Sequence, residues 1–266
     1  MIEQVHDTHM TEREIVLVGI GEIGGVLARG FLRLGITVHP VTRNTDMLAL
    51  SHRINRPTLV LIAVGENALQ PVLSAIPDVW RDRLCLLQNE LLPNDWQTII
   101  NPTVISIWFE KKPGMDAKVI IPSPVYGPHA ELICQALQAL NIPCVQLENE
   151  HQLLQELVIK NLYILTTNIA GLETGGTVDE LWRNHRPLAQ EVATEILQLQ
   201  AGLTGAQFET ETMIARMVEA FAGDPDHKCM GRSAPARLAR ALEHAEQLKL
   251  DLPALRRIAN QTENRT

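Results

Sequence analysis

Glu14-Ile15-Val16-Leu17-Val18-Gly19-Ile20-Gly21-Glu22-Ile23-Gly24 decides the reading of this chain. Its first five residues are an apolar run rich in β-branched side chains, of the kind that forms a buried strand. Glycines follow at once with Gly-x-Gly-x-x-Gly spacing, and Val26 to Leu34 then carries helical periodicity closed by Gly35. That spacing alone is weak, because glycines fall this way by chance. Between a strand and a helix it acquires a physical meaning. Gly19 permits the tight turn, Gly21 lets backbone approach a pyrophosphate, and Gly24 lets helix pack close to strand. The helix start then presents unpaired N–H groups and partial positive charge to phosphates. The bland alternative is a tight turn that binds nothing; the strand-turn-helix context favours a dinucleotide. The candidate cofactor residues here are Gly19, Ile20, Gly21, Glu22, Ile23 and Gly24.

Working outward, residues 36–41 read as a second strand and 58–64 as a third. The third is apolar almost throughout, as expected for a parallel strand covered on both faces. Further strands are expected at 84–88, 104–109, 118–121 and 143–147, with helices at 71–80 and 129–140. The segment 46–57 leaves little room for an extra helix. Alternation of this kind predicts a doubly wound, mostly parallel sheet. After residue 150 the pattern changes to a long helix over 151–173 and further helices over 186–203, 209–222 and 234–249. The expected fold is therefore α/β: a Rossmann-type doubly wound sheet followed by an all-helical C-terminal domain. The expected divisions are a flexible tail over 1–12, a dinucleotide-binding domain over 13–149, and a helical substrate or dimerisation domain over 150–266.

The end of the second strand selects the cofactor. An NAD site usually places Asp or Glu there to hold the ribose 2′-OH. This chain reads Val41-Thr42-Arg43-Asn44, and an arginine fork suits a 2′-phosphate. NADP(H) is the expected cofactor, with Thr42 and Arg43 as its adenosine-side residues. Asp46 lies three residues further on and could turn back toward a ribose.

Bulk properties narrow the partners. Of 266 residues, 31 are acidic and 23 basic, a net charge of −8. Such a balance argues against nucleic acid or an acidic membrane and for a small-molecule substrate. A homodimer is compatible with the helical half. The four cysteines, Cys85, Cys134, Cys144 and Cys229, form no CxxC pair, which predicts a reducing compartment and no disulfide framework. Neither a signal-like apolar segment over 1–13 nor a membrane-length apolar run is present, so the cytoplasm is expected. His227 and Cys229 lack a second ligand pair at useful spacing, so no metal site is expected.

The order of motifs resembles the ketopantoate reductase family over nearly the whole chain. The resemblance is carried by the glycine turn, Arg43 after the second strand and Leu87-Gln88-Asn89 at the end of a later one. Beyond these come Lys160 and Asn168 on one helix, then Gly176-Thr177-Val178-Asp179-Glu180-Leu181 and the closing Leu250-Asp251-Leu252-Pro253. It implies hydride delivery from a nicotinamide to the ketone carbon of a 2-oxo acid. Lys160 matches the residue that gives a proton to the developing alkoxide. Asn168 would bond the substrate, and Asn89 would lie beside both nicotinamide and substrate. An ammonium in a cleft near the domain junction would be partly desolvated, which moves its pKa toward neutrality and makes it a better acid. Eight helical residues rise ~12 Å and turn ~80°, so Lys160 and Asn168 can line one cleft but cannot share one atom group.

This sequence also departs from the family. Glu90 stands where glycine usually follows Leu-Gln-Asn, and Ile164 where a second asparagine is common. No acid lies in Gly231–Arg237, where a glutamate should grip the substrate hydroxyl; Arg232 and Arg237 offer cations that could meet a carboxylate, though a surface position is the default for each. An NADPH-dependent reductase of a 2-oxo acid or related carbonyl is the leading reading. A related enzyme acting on an imine or a β-hydroxy acid, and an NADP(H)-binding sensor with lost catalysis, are the alternatives.

Overall fold

In the computed structural model, which describes residues 13–87 and 89–264, β1 (Glu14–Val18) feeds through the glycine turn into α1 (Glu22–Arg33). Then follow β2 (Thr37–Val41), α2 (Met47–Arg53), β3 (Leu59–Ile62), α3 (Glu66–Ala75), β4 (Leu84–Leu86) and β5 (Thr103–Ile105). A small hairpin, β6 (Phe109–Glu110) and β7 (Lys118–Val119), precedes β8 (Ser123–Tyr126), α4 (Ala130–Gln138) and β9 (Cys144–Gln146). One seven-stranded sheet results, in the order β2-β1-β3-β4-β5-β8-β9. From β2 to β5 it is parallel; β8 runs antiparallel to β5, and β9 parallel to β8.

Alternation along β1 explains why both faces are covered. Ile15 and Leu17 point to one side, where they join Leu27 and Phe31 of α1 and Ile133 and Leu137 of α4. Val16 and Val18 point to the other, with Leu69 and Leu73 of α3 and the buried Trp80. Every residue of β3 is buried, as its unbroken apolar run requires.

The chain then becomes helical: α5 (Glu150–Thr174), α6 (Val178–Asn184), α7 (Arg186–Thr204), α8 (Thr210–Gly223), α9 (Ala234–Leu248) and α10 (Pro253–Glu263). Asn149 starts α5 by accepting a hydrogen bond from the Gln152 amide at 2.9 Å. Ile159, Leu162 and Ile169 anchor the helical core, whereas Leu153 and Leu157, in the first two turns, pack with the sheet. A single helix thus packs into both cores. No described helix is long and apolar enough to cross a membrane.

Several local expectations need correction. The helix expected over 71–80 begins at Glu66 and carries Pro71 inside it. A short helix, α2, fits into the segment judged too short for one. The strand expected over 118–121 is only the two-residue β7, and the sheet strand is β8, masked in the sequence by Pro122 and Pro124. Helices α6 and α10 had not been expected. Cys134 and Cys144 form a disulfide, contrary to the expectation of none. The return of the chain from α4 into β9 brings their Cα atoms to 5.3 Å, a juxtaposition that spacing alone could not show. Cys85 and Cys229 are free and buried. The 1–12 tail and Gln88 lie outside the described residues.

Candidate active site

The carboxyl ends of β1, β3 and β4 open onto a cleft of about 610 Å³, walled on its far side by α5 and by the loop that leads into α9. Gly19 turns the chain at φ +93°, and a Cβ there would collide with the Ala63 carbonyl oxygen. Gly21, by contrast, faces open space, with no atom of the described residues within 4 Å of where its Cβ would stand. No described side chain caps α1, so its first amides remain available to an anion. Gly21, Glu22, Ile23 and Gly24 line the cleft; Ile20 is half exposed in the turn. These features fit a diphosphate. Lys111, which the sequence did not single out, joins them by donating to Glu22 at 3.0 Å.

Beyond β2, Arg43 is exposed and pairs with no described residue. Thr42 is committed locally: its amide donates to Thr45 Oγ1 at 3.0 Å, and the two hydroxyls lie 3.2 Å apart. Asp46 does not turn toward a ribose; it caps α2, accepting from the Ala49 amide at 3.0 Å. That local bond removes it as a competitor to Arg43.

Lys160 projects from α5 into the cleft. Its Nζ lies 4.0 Å from the centre of the Trp108 ring and 5.7 Å from that of Tyr163. Burial pulls its pKa down to about 7; Glu110 opposes that shift and Arg237 adds to it. Cation–π contact with Trp108 partly offsets the lost hydration. Tyr163 itself is buried, and its hydroxyl has no hydrogen-bond partner among the described residues. Burial pushes that phenol pKa up, with the charges of Asp224 and Glu110 adding to the effect.

Asn168 lines the same cleft as Lys160, as the helix geometry allows. Its amide is already occupied: Nδ2 donates to the Ile164 carbonyl at 2.8 Å, while Oδ1 accepts from Gly231 N and from Arg237 Nη1, both at 3.3 Å. Asn89 is exposed where β4 ends and also faces the cleft.

Glu90, in place of the usual glycine, meets Arg237 from the stretch that lacks the expected acid. Arg237 Nε donates to Glu90 Oε1 at 2.6 Å, and Arg240 Nη2 reaches both Glu90 oxygens at 3.1 and 3.0 Å. Glu66 is held more loosely, at 3.5 Å from Arg237 and 3.4 Å from Arg240. Arg237 is therefore no surface arginine; its side chain is only 12% exposed. Glu90 sits at φ +59°, the left-handed backbone that suits the glycine usual at this position in the family it resembles. The ion pairs offset a backbone cost of about 1 kcal/mol. On the other side of Glu66, Asn89 and Arg237 lies a second cavity of about 440 Å³.

Glu66, Glu110, Trp108 and Tyr163 were missed in the sequence. Glu66 had a usable signal, since it opens the helix after β3 at the carboxyl edge of the sheet. Tyr163 had one too, three residues after Lys160 and so on the same side of α5, whereas Trp108 and Glu110 lie far from any motif. His227 also gains partners the sequence could not place: Nδ1 lies 3.0 Å from Glu110 and 3.7 Å from Asp224, which Lys118 holds at 2.5 Å.

A Rossmann-type sheet joined to an all-helical half, with a desolvated lysine from the second facing the glycine turn of the first, defines the class of fold. Among solved structures, ketopantoate reductases share the arrangement of sheet and helical half. The dimeric enzyme of Staphylococcus aureus is 17% identical, with a TM-score of 0.64 over 94% of this chain and 98% of its own. The 2-dehydropantoate 2-reductase of Methylococcus capsulatus is 12% identical, with a TM-score of 0.68 over 94% and 96%. That of Geobacter metallireducens is 14% identical, with a TM-score of 0.66 over 95% and 100%. No protein-family profile and no curated protein sequence matches the chain.

Proposed function

We propose that this chain is an NADPH-dependent reductase of a 2-oxo acid or related small carbonyl, a divergent member of the ketopantoate reductase family. The observation that carries this reading is Lys160: an ammonium with a pKa near 7, in a cleft that opens onto a dinucleotide-type glycine turn. The division at 149/150 then separates a cofactor half from a substrate half, and a homodimer like that of the S. aureus protein is part of the proposal.

Gly19, Ile20, Gly21, Glu22, Ile23 and Gly24 would hold the diphosphate, Thr42 and Arg43 the 2′-phosphate end, and Asn89 the nicotinamide end. When bound, NADPH supplies the hydride. Lys160 supplies the proton: with a pKa near 7 it is about half charged at neutral pH, and it gives its proton to the oxygen that becomes the alcohol. Trp108 shields the ammonium on one side, and Glu110 favours its charged form. Asn168 fixes Arg237 from the helix that carries Lys160. Retention of a tuned lysine favours this reading over a non-catalytic sensor.

Purified protein incubated with NADPH and a panel of 2-oxo acids tests the proposal. Cofactor oxidation that disappears in Lys160→Ala is the expected result. Binding of NADPH with no turnover of any substrate, in wild type and variant alike, would sink it in favour of the sensor.

A further inference from the structure

Three cations line the cleft, Lys160 on α5, Arg237 on α9 and Lys228 in the loop before α9; Lys228 is exposed, so Lys160 and Arg237 are the two that reach the space partly out of water. We propose that Arg237 anchors the carboxylate of the substrate, that Glu66 holds that place until the substrate displaces it, and that the preferred substrate is a monocarboxylate. This rests on the reductase reading of the cleft.

The guanidinium is used unevenly. Its Nε edge is committed to Glu90 at 2.6 Å, but among the described residues the Nη1 and Nη2 end has only long contacts, 3.3 Å to Asn168 and 3.5 Å to Glu66. An incoming carboxylate at that end makes two parallel charge-assisted bonds of about 2.7–2.9 Å and replaces one poor one. Glu90 stays in place, because Arg240 holds both of its oxygens. Glu66 is the acid that yields. Burial and the adjacent Glu90 charge push its carboxyl pKa up, so it gives up its charge more readily than an ordinary glutamate.

Connectivity supplies the rest. In a 2-oxo acid the carboxylate carbon is bonded directly to the carbonyl carbon. A molecule seated on Arg237 therefore presents its ketone inside the cleft that Lys160 enters. The Glu90 carboxylate stays beside the anchor, so a second carboxylate on the substrate meets like charge and is disfavoured. Asn168 acts as a positioning residue, through its contact to Nη1.

Calorimetric titration of the full chain with oxamate, with and without NADPH, tests this. Oxamate carries a carboxylate beside a carbonyl and cannot accept a hydride; neutral oxamide is the control. Wild type is expected to prefer oxamate by about tenfold or more, and Arg237→Ala to lose that preference. Glu66→Gln removes the competing charge and is expected to tighten oxamate about threefold, a gain that misfolding cannot imitate. Absence of an oxamate preference in wild type, equal binding in Arg237→Ala, or weaker binding in Glu66→Gln overturns the proposal. The two readings fail separately. Oxamate binding through Arg237 without any NADPH oxidation would remove the reductase and leave the anchor. An active reductase whose kcat/KM for pyruvate is unchanged in Arg237→Ala would remove the anchor alone.

Discussion

Arg237 on α9 and Glu90 after β4 are joined by a 2.6 Å hydrogen bond across 147 positions of sequence; Glu90 stands where the resembled family usually has glycine, and Arg237 closes the stretch 231–237 that lacks the family's acid. The two departures compensate one another. An unpaired acid at 90, or an unpaired arginine at 237, would leave a charge largely out of water. Glu90→Gln is accordingly expected to cost about 2 kcal/mol of unfolding free energy, read by urea denaturation. Combining it with Arg237→Gln should cost less than the sum of the single changes, and strict additivity would show that the pair is not coupled.

Lys160 sets two opposite pH dependences. As an acid it must be charged, so turnover should fall as pH rises above about 7. Stability moves the other way. The folded-state pKa lies below the unfolded value of about 10.4, so the unfolded chain binds more protons between the two. Burying the cation therefore destabilises the fold most below pH 7, and that penalty is relieved as pH climbs toward 10. Lys160→Met should be inactive yet more stable by about 2–3 kcal/mol at pH 6, with the gain shrinking by pH 9.5. Thermal melts at both pH values check the sign, and a stability gain independent of pH would contradict it.

Cofactor choice is expected to reside in Arg43. Its guanidinium is exposed at the end of β2, and Asp46, three residues on in the sequence, is spent on capping α2. Arg43→Ala should weaken NADPH binding by about 10- to 100-fold and leave NADH nearly unchanged. Fluorescence titration with both nucleotides measures this; equal losses for the two would move the 2′-phosphate site elsewhere.

The glycine turn allows a contrast between two single-methyl changes. Gly19→Ala forces a Cβ into the Ala63 carbonyl at positive φ and is expected to cost about 2–4 kcal/mol of stability. Gly21→Ala meets open space, so it should fold within about 1 kcal/mol of wild type. Nucleotide affinity should nonetheless drop by about tenfold or more, because the methyl occupies the approach to the diphosphate. Denaturation and nucleotide titration on both variants separate the structural glycine from the binding one.

What the sequence determined by itself is what lies close together along it. The β1-turn-α1 unit, the apolar β3, the change to helix at Asn149 and the long α5 with Lys160 were all legible, because strand and helix periods and glycine spacing are local properties. Proline-flanked β8 and the short α2 and α6 were not, since their formation depends on neighbours that pair with or cover them. Only the tertiary structure decided which side chains share the cleft. It brought Glu66, Glu90, Arg237 and Arg240 into one network, placed Trp108 under the Lys160 ammonium, and joined Cys134 to Cys144. Those relationships rest on desolvation and charge pairing between residues far apart in the chain, and no local pattern encodes them.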